Sequence, residues 1–310
     1  MSSLEPIYRA VRSQQDGGPE VAASAAAAIE AVFQKSDAVI LGMLFYGSRL
    51  RASSDAGKMV DLYVLIDSYE AFHESPLRRL ASRLVPPDVF MLTTEDDLGR
   101  TVSIKYSVIT LSAFERLSRG KLGTSIWGRF SQPVQVVKAR DEETRTRILT
   151  ALAQCMESFC LATEGLMGPS FTAREFCREG LAQCYRTELR AERPYARAEE
   201  IVASNPGWFE RMVSSVYGSP DEDGQYRSPQ GRRSRAARGW WFLRRLTGKP
   251  ITVLRVIKGA LTFEHAVDYA LDKLEKHSGV RLHLTDAQRR RPLLWSPVLL
   301  WKAVRSGAWR

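Results

Sequence analysis

The chain has 310 residues, 44% of them hydrophobic and 26% charged, and a formal net charge of +10. That is enough apolar material for a sizeable core and, by length, for two domains. The longest apolar stretches, residues 38–46 and 60–66, fall far short of the roughly 20 residues of a membrane-spanning helix, and Glu5, Arg9, Arg12, Asp16 and Glu20 break any leader-like pattern, so a cytoplasmic protein is expected.

Residues 21–35 are alanine-rich with an apolar face that includes Ile29, Val32 and Phe33, and they predict a helix packed on the first strand. Strands are expected at 39–45 and 60–66, then a helix over 71–84 stopped by Pro86 and Pro87. Further β-rich runs at 89–93, 102–109 and 134–137 complete an α/β domain over residues 1–140. From residue 142 the periodicity turns helical, at 144–163, 173–190 and 196–203, giving a mainly helical second domain over 141–217. Residues 218–238 are rich in Gly, Pro, Ser and charge and are expected to form a mobile loop. Beyond it, residues 251–263 suit a strand pair or a short helix, and 264–277 an amphipathic helix closed by Gly279. The last stretch, from Arg289, mixes arginine with leucine and tryptophan.

The basicity is concentrated at the C-terminal end. Residues 225–310 hold 19 Lys and Arg against 5 Asp and Glu, so the first 224 residues are net acidic. Five of the seven tryptophans, Trp240, Trp241, Trp295, Trp301 and Trp309, lie in the same region, so residues 239–310 pair attraction to an anionic surface with interfacial aromatics. That pattern suits docking on an anionic membrane surface if the chain acts on a lipid, and otherwise a helix packed on the protein with a solvated basic face. Cys155, Cys160, Cys177 and Cys184 show no zinc-ligand spacing and read as reduced core residues, and the four histidines are too scattered for a triad.

Residues 45–67 carry the chemistry. An apolar strand leads into Gly47 and Ser48, a polar loop follows, and a second apolar strand opens on Asp61. A Gly-Ser turn can present N–H groups and a hydroxyl to a phosphate, and a facing carboxylate can hold Mg2+ against it. An ordinary hairpin with a polar Asp is the alternative. A second carboxylate at the alternate strand position is common in nucleotidyl transfer, but here that position is Tyr63. Asp67 lies about 20 Å from Asp61 at ~3.3 Å per residue, too far to share an ion, and reads as a turn or capping residue.

These residues resemble the mitochondrial-type CDP-diacylglycerol synthases, the translocator-assembly-and-maintenance family. Tyr46-Gly47-Ser48, Asp61, Asp67 and Phe72-His73 follow the order of that family's first block, with Phe72 for its usual Trp. Lys105-Tyr106-Ser107-Val108-Ile109, Gly128-Arg129 and Pro133-Val134 follow the second, with Ser107 for Gly. Tyr185, Glu188 and Arg190 follow the third, with Glu188 for Asp, and the similarity spans about residues 40–203.

The resemblance implies a nucleotidyltransferase-like mixed sheet with helices, followed by a helical domain that closes the active site. It implies transfer of CMP from CTP to phosphatidate with Mg2+, at the inner face of a membrane, with no nucleic-acid partner. Tyr46, Gly47 and Ser48 would hold the triphosphate, and Asp61 would bind the metal. Glu188 would supply the carboxylate that Tyr63 lacks, or simply pair with an arginine on a helix surface. Lys105 would sit on a substrate phosphate, Arg129 and Arg190 would clamp phosphate oxygens, and His73 would orient a neighbour. Transfer to another acceptor (a small molecule, a protein or RNA) and a non-catalytic adaptor on the same fold are the rival expectations.

Overall fold

The computed structural model describes residues 4–15, 29–30, 38–51, 59–95, 101–190, 192–228 and 234–262. Among these, α1 (Leu4–Ser13) precedes β1 (Ile40–Tyr46), the short α2 (Ser48–Arg51) and β2 (Val60–Ile66). Then come α3 (Tyr69–Phe72), α4 (Pro76–Leu84), β3 (Asp88–Glu95), β4 (Thr101–Thr110), α5 (Leu111–Ser118), α6 (Trp127–Phe130) and β5 (Val134–Ala139). The remainder is mainly helical: α7 (Glu142–Glu164), β6 (Ser170–Thr172), α8 (Ala173–Thr187), α9 (Pro194–Ser204), α10 (Pro206–Tyr217), β7 (Gln225–Arg227) and α11 (Arg235–Thr262).

The fold is mixed α/β, as expected. Five strands form a sheet in the order β3-β4-β2-β1-β5, in which β2 and β4 run parallel and the other pairs antiparallel. Strand alternation gives it two buried faces. Met43, Phe45, Leu62, Val64, Ile104 and Val108 fill one, together with Ile29 and Tyr69. Leu44, Tyr46, Tyr63, Leu65 and Ile109 belong to the other, whose buried cluster continues through α7 and α8 to Phe209 on α10 and Trp241 on α11. The sheet and the helical half therefore share one apolar core, and the site described below lies on this second face.

Local chemistry explains the main boundaries. Asp141 caps α7 by accepting from Thr144 N at 2.7 Å, and this bonding to the charged form holds its carboxyl down at about 2. Thr172 and Glu175 form a reciprocal capping box on α8. The edge strand β5 is met by the side chain of Gln15, whose Nε2 donates to Val134 O at 3.2 Å and whose Oε1 accepts from Val136 N at 2.7 Å.

Several expectations need correction. The helix over 71–84 is two short ones: Ser68 caps α3 by accepting from Ala71 N at 3.2 Å, and Pro76 starts α4. The helix over 173–190 stops at Thr187, whose hydroxyl donates to Cys184 O at 2.7 Å. Residues 218–238 are not a loop throughout, because β7 pairs with β6 and α11 begins at Arg235. Residues 251–262 belong to neither a strand pair nor a separate short helix; they are the second half of α11. Helices α1 and α10 were not anticipated. The expected helix over 21–35 falls mostly outside the described residues, within which Ile29 is buried against the sheet. The amphipathic helix at 264–277 and the Arg-Trp-Leu segment from Arg289 lie wholly outside them. Among the described residues no helix is long and apolar enough to cross a membrane.

Candidate active site

The strand β1 delivers Tyr46 to the helical face of the sheet and ends at Gly47, which has φ +95°. Antiparallel pairing sets Tyr46 opposite Asp61, and parallel pairing sets Asp61 beside Lys105. The Asp61 carboxylate turns back onto the bend: a methyl group on Gly47 would come within 2.7 Å of Asp61 Oδ2. Only glycine suits this place on both counts, positive φ and close approach. Ser48 follows at once and opens α2.

Aromatic rings form the wall behind Asp61. Tyr63, at the position where a second carboxylate was missing, is 1% exposed and packs edge-on to Phe130 at 5.0 Å and to Tyr46 at 5.7 Å. Over these rings lies Arg129 from α6, its Cζ 5.5 Å from the Tyr46 centroid and 6.0 Å from that of Tyr63, with Nη1 3.5 Å from Tyr46 Oη. Burial pushes the Tyr46 hydroxyl up and outweighs the opposing pull of Arg129 and of the Ser107 hydrogen bond. Burial acts to lower Arg129, but the tyrosines and the carboxylates of Glu188 and Asp61 hold it above its ordinary value, so it is a permanent cation.

The helical half brings Glu188 and Arg190. Glu188 caps the C-terminal end of α8, and Arg190 donates to its Oε2 from Nε at 2.7 Å and approaches it from Nη2 at 2.6 Å. The same guanidinium stacks on Tyr185, with Cζ 4.3 Å from the ring centroid. Burial alone would raise the Glu188 carboxyl; Arg190, then Arg129, bring it below its ordinary value and keep it charged. What joins α8 to the sheet side is the segment leading into α6, where Thr124 Oγ1 and Thr187 Oγ1 lie 2.6 Å apart.

Arg129 is the link between the two groups: it lies on Tyr46, opposite Asp61 in the strand pairing, and the charges of both Asp61 and Glu188 act on it, while Arg190 holds Glu188. Gly47 and Ser48 adjoin Tyr46 in the chain, and Lys105 adjoins Asp61 in the strand register. His73 does not join them: its Nε2 lies 3.1 Å from Asp88 Oδ2 and 3.1 Å from Ser82 Oγ, inside a buried network completed by Lys258 Nζ at 2.9 Å from Asp88 Oδ1. Asp67 lies in the bend after β2, where its Oδ1 accepts from Val39 N at 3.0 Å; it fits the turn reading and not the helix-capping one, since the cap of α3 is Ser68. The four cysteines are free and buried.

Sequence reasoning missed Arg255 on α11. Its Nε donates to Pro86 O at 3.0 Å and its Nη2 to Ser125 Oγ at 2.9 Å, next to the Thr124 contact just described. No motif surrounds it, so only the fold reveals it.

A Mg2+ ion suits one or two carboxylates plus phosphate oxygens and water. Among the described residues no group of three His, Cys, Asp or Glu side chains could hold a metal ion, and Asp61 is the carboxylate that faces the bend. Surface clefts of about 560 and about 610 Å3 lie elsewhere, and Asp61 lines neither. Compared with known proteins, the chain matches no protein-family model and no curated protein.

Proposed function

We propose that this chain is a nucleotidyltransferase that moves CMP from CTP to phosphatidate, giving CDP-diacylglycerol and pyrophosphate, on the surface of an anionic membrane. The observation that carries this reading is the approach of the Asp61 carboxylate to the positive-φ bend at Gly47. A turn-borne phosphate cradle and a facing acid are the parts that nucleotidyl transfer requires.

A phosphatidate oxygen attacks the α-phosphorus of CTP; the bond from that phosphorus to the bridging oxygen breaks, and pyrophosphate leaves with the electron pair. The attacking phosphate monoester is already ionised near neutral pH, so no general base is needed, and His73 is free for its structural network. Asp61, with Glu188 Oε1 as second donor, would hold Mg2+, which when bound neutralises charge developing on the phosphates. Gly47 and Ser48 offer N–H and hydroxyl donors to the triphosphate. Arg129 and Arg190 present fixed, permanently charged guanidiniums to phosphate oxygens, preorganised by stacking on tyrosine. Lys105 adds a cation from the neighbouring strand.

A lipid acceptor also accounts for the outward face of α11. Trp240, Phe242, Leu243, Leu246 and Leu254 are exposed along a helix whose opposite side is docked on the protein. Exposed apolar side chains flanked by Arg238, Arg245 and Lys249 suit insertion at an anionic lipid surface.

The test is a panel of radiolabelled nucleoside triphosphates against phosphatidate, other lipid phosphates, small alcohols and RNA, followed by lipid extraction. Label from CTP in the lipid phase, dependent on phosphatidate and Mg2+, is the expected result. Asp61→Asn should reduce turnover by at least about 1,000-fold with an unchanged circular dichroism spectrum, since it removes charge stabilisation where charge develops. Label in RNA or in a water-soluble product, or normal turnover by Asp61→Asn, would overturn the reading.

A further inference from the structure

The inner face of α11 sets polar and charged side chains beside the one fully buried ring of Trp241. Trp241 Nε1 donates to Ala162 O at 2.9 Å, Arg244 lies over Trp127 and donates to Lys121 O at 2.9 Å, and Gly248 rests on Thr187. Arg255 reaches Pro86 and Ser125, and Lys258 reaches Asp88 and Val85. The helix is thus a strap laid from α7 across the end of α8 to the start of β3.

Anchoring the strap does not explain Arg255. Arg244 and Lys258 already tie down the helix on either side of it. Arg255 enters beside Ser125, four residues before Arg129, on the segment whose Thr124 touches Thr187 next to Glu188. It therefore brings a further guanidinium within electrostatic reach of Arg129, Glu188 and Tyr63. Glu188 is already engaged by two nitrogens of Arg190. Burial and Arg129 both act against the charge on Arg255, with Tyr63 and Glu188 opposing them. Collecting like charges in a partly desolvated place is unfavourable unless an anion completes it. The Nε and Nη2 atoms of Arg255 are spent on Pro86 and Ser125, and among the described residues Nη1 makes no hydrogen bond.

From this placement we infer that Arg255 is a phosphoryl-binding residue of the site, supplied by α11, and that the helix with the exposed apolar outer face is the one that completes the phosphate pocket. The inference rests on the proposed nucleotidyl transfer and goes further in naming the residue that links lipid docking to the site. The group it meets is a phosphoryl oxygen, either of the triphosphate or of the phosphatidate headgroup.

The test uses the full chain and the variants Arg255→Met, Arg255→Lys and Ser125→Ala. Calorimetric binding of CTP, CDP and CMP with Mg2+ is measured, as is the KM for phosphatidate in mixed micelles. If the triphosphate is the ligand, Arg255→Met weakens CTP at least tenfold and CMP less than twofold. If the lipid is the ligand, KM for phosphatidate rises at least tenfold while CTP binding holds. In both cases Arg255→Lys recovers part of the loss, and Ser125→Ala, which loosens the guanidinium without removing it, shows a smaller change of the same kind. Should Arg255→Met fail to fold, the lysine and Ser125 variants are read in the same way. Loss of CTP and CMP in equal proportion, or values all within twofold of the parent, would overturn the inference and leave the proposed reaction standing. A parent chain that binds no nucleoside triphosphate would remove both.

Discussion

At Gly47 the backbone conformation and the neighbouring carboxylate make the same demand. Any side chain there must adopt φ near +95° and meet Asp61 Oδ2 at 2.7 Å. Gly47→Ala is therefore expected to cost about 1–2 kcal/mol in urea unfolding, and to lower pyrophosphate release at least about tenfold because it displaces the acid it touches. A variant with lower stability and full activity would separate the bend from the chemistry. Gly47, Ser48 and Asp61 were legible in the sequence because one strand-turn-strand segment holds them all. Glu188 and Arg190 were legible only through resemblance, and their mutual pairing, which fixes the guanidinium over Tyr185, came from the fold. Tyr63 read as a missing acid; in the structure it is the buried wall on which Arg129 rests. Arg255 left no trace in the sequence, since its meaning comes from contacts with Pro86 and Ser125, far away along the chain.

Among the elements, α11 shows how packing overrides local signals. Pro250 and the β-branched run after it argue against a helix, yet the contacts of Arg255 and Lys258 hold the helical path through both. Strands β2 and β4 were read closely because each alternates into two buried faces, whereas the 71–84 helix was misread because its apolar spacing hides the break before Pro76. Two glycines of α11 provide a test with opposite signs. A methyl group at Gly248 would meet Thr187 O at 2.5 Å, a backbone atom that cannot swing aside, while one at Gly239 meets nothing within 4 Å. Gly239→Ala should stabilise the protein by roughly 0.5–1 kcal/mol through helix propensity. Gly248→Ala should destabilise it despite the same propensity gain, and should speed limited proteolysis within α11. Stabilisation by both would mean that the strap is not seated on α8.

For the molecule as a whole, the His73–Asp88–Lys258 network joins the chain after α3 to β3 and α11, with Ser82 of α4 alongside. Burial acts to raise the Asp88 carboxyl, but His73 and Lys258 bring it below its ordinary value of 3.8. A carboxylate depressed in the folded state contributes stability that is complete above the unfolded value and is lost as pH falls through the folded one. The melting temperature should thus fall more steeply below pH 3.8 in the parent than in Asp88→Asn. That variant should also be less stable at pH 7, by about 3 kcal/mol, because the buried Lys258 loses its carboxylate counter-charge while keeping the neutral Val85 carbonyl. Parallel melting curves for the two proteins across the acid range would show that the network carries no proton linkage.

The two borders of the sheet are managed in different ways. Lys258 fastens α11 at the start of β3, while on β5, the last strand of that sheet among the described residues, one glutamine amide offers both a donor and an acceptor. An open β border is a template on which other chains can align, and this one is blunted at Val134 and Val136 by a side chain arriving just after α1. The proposed work on a lipid surface would bring many copies close together, and Gln15 occupies two of the groups through which this border would otherwise invite a neighbouring chain.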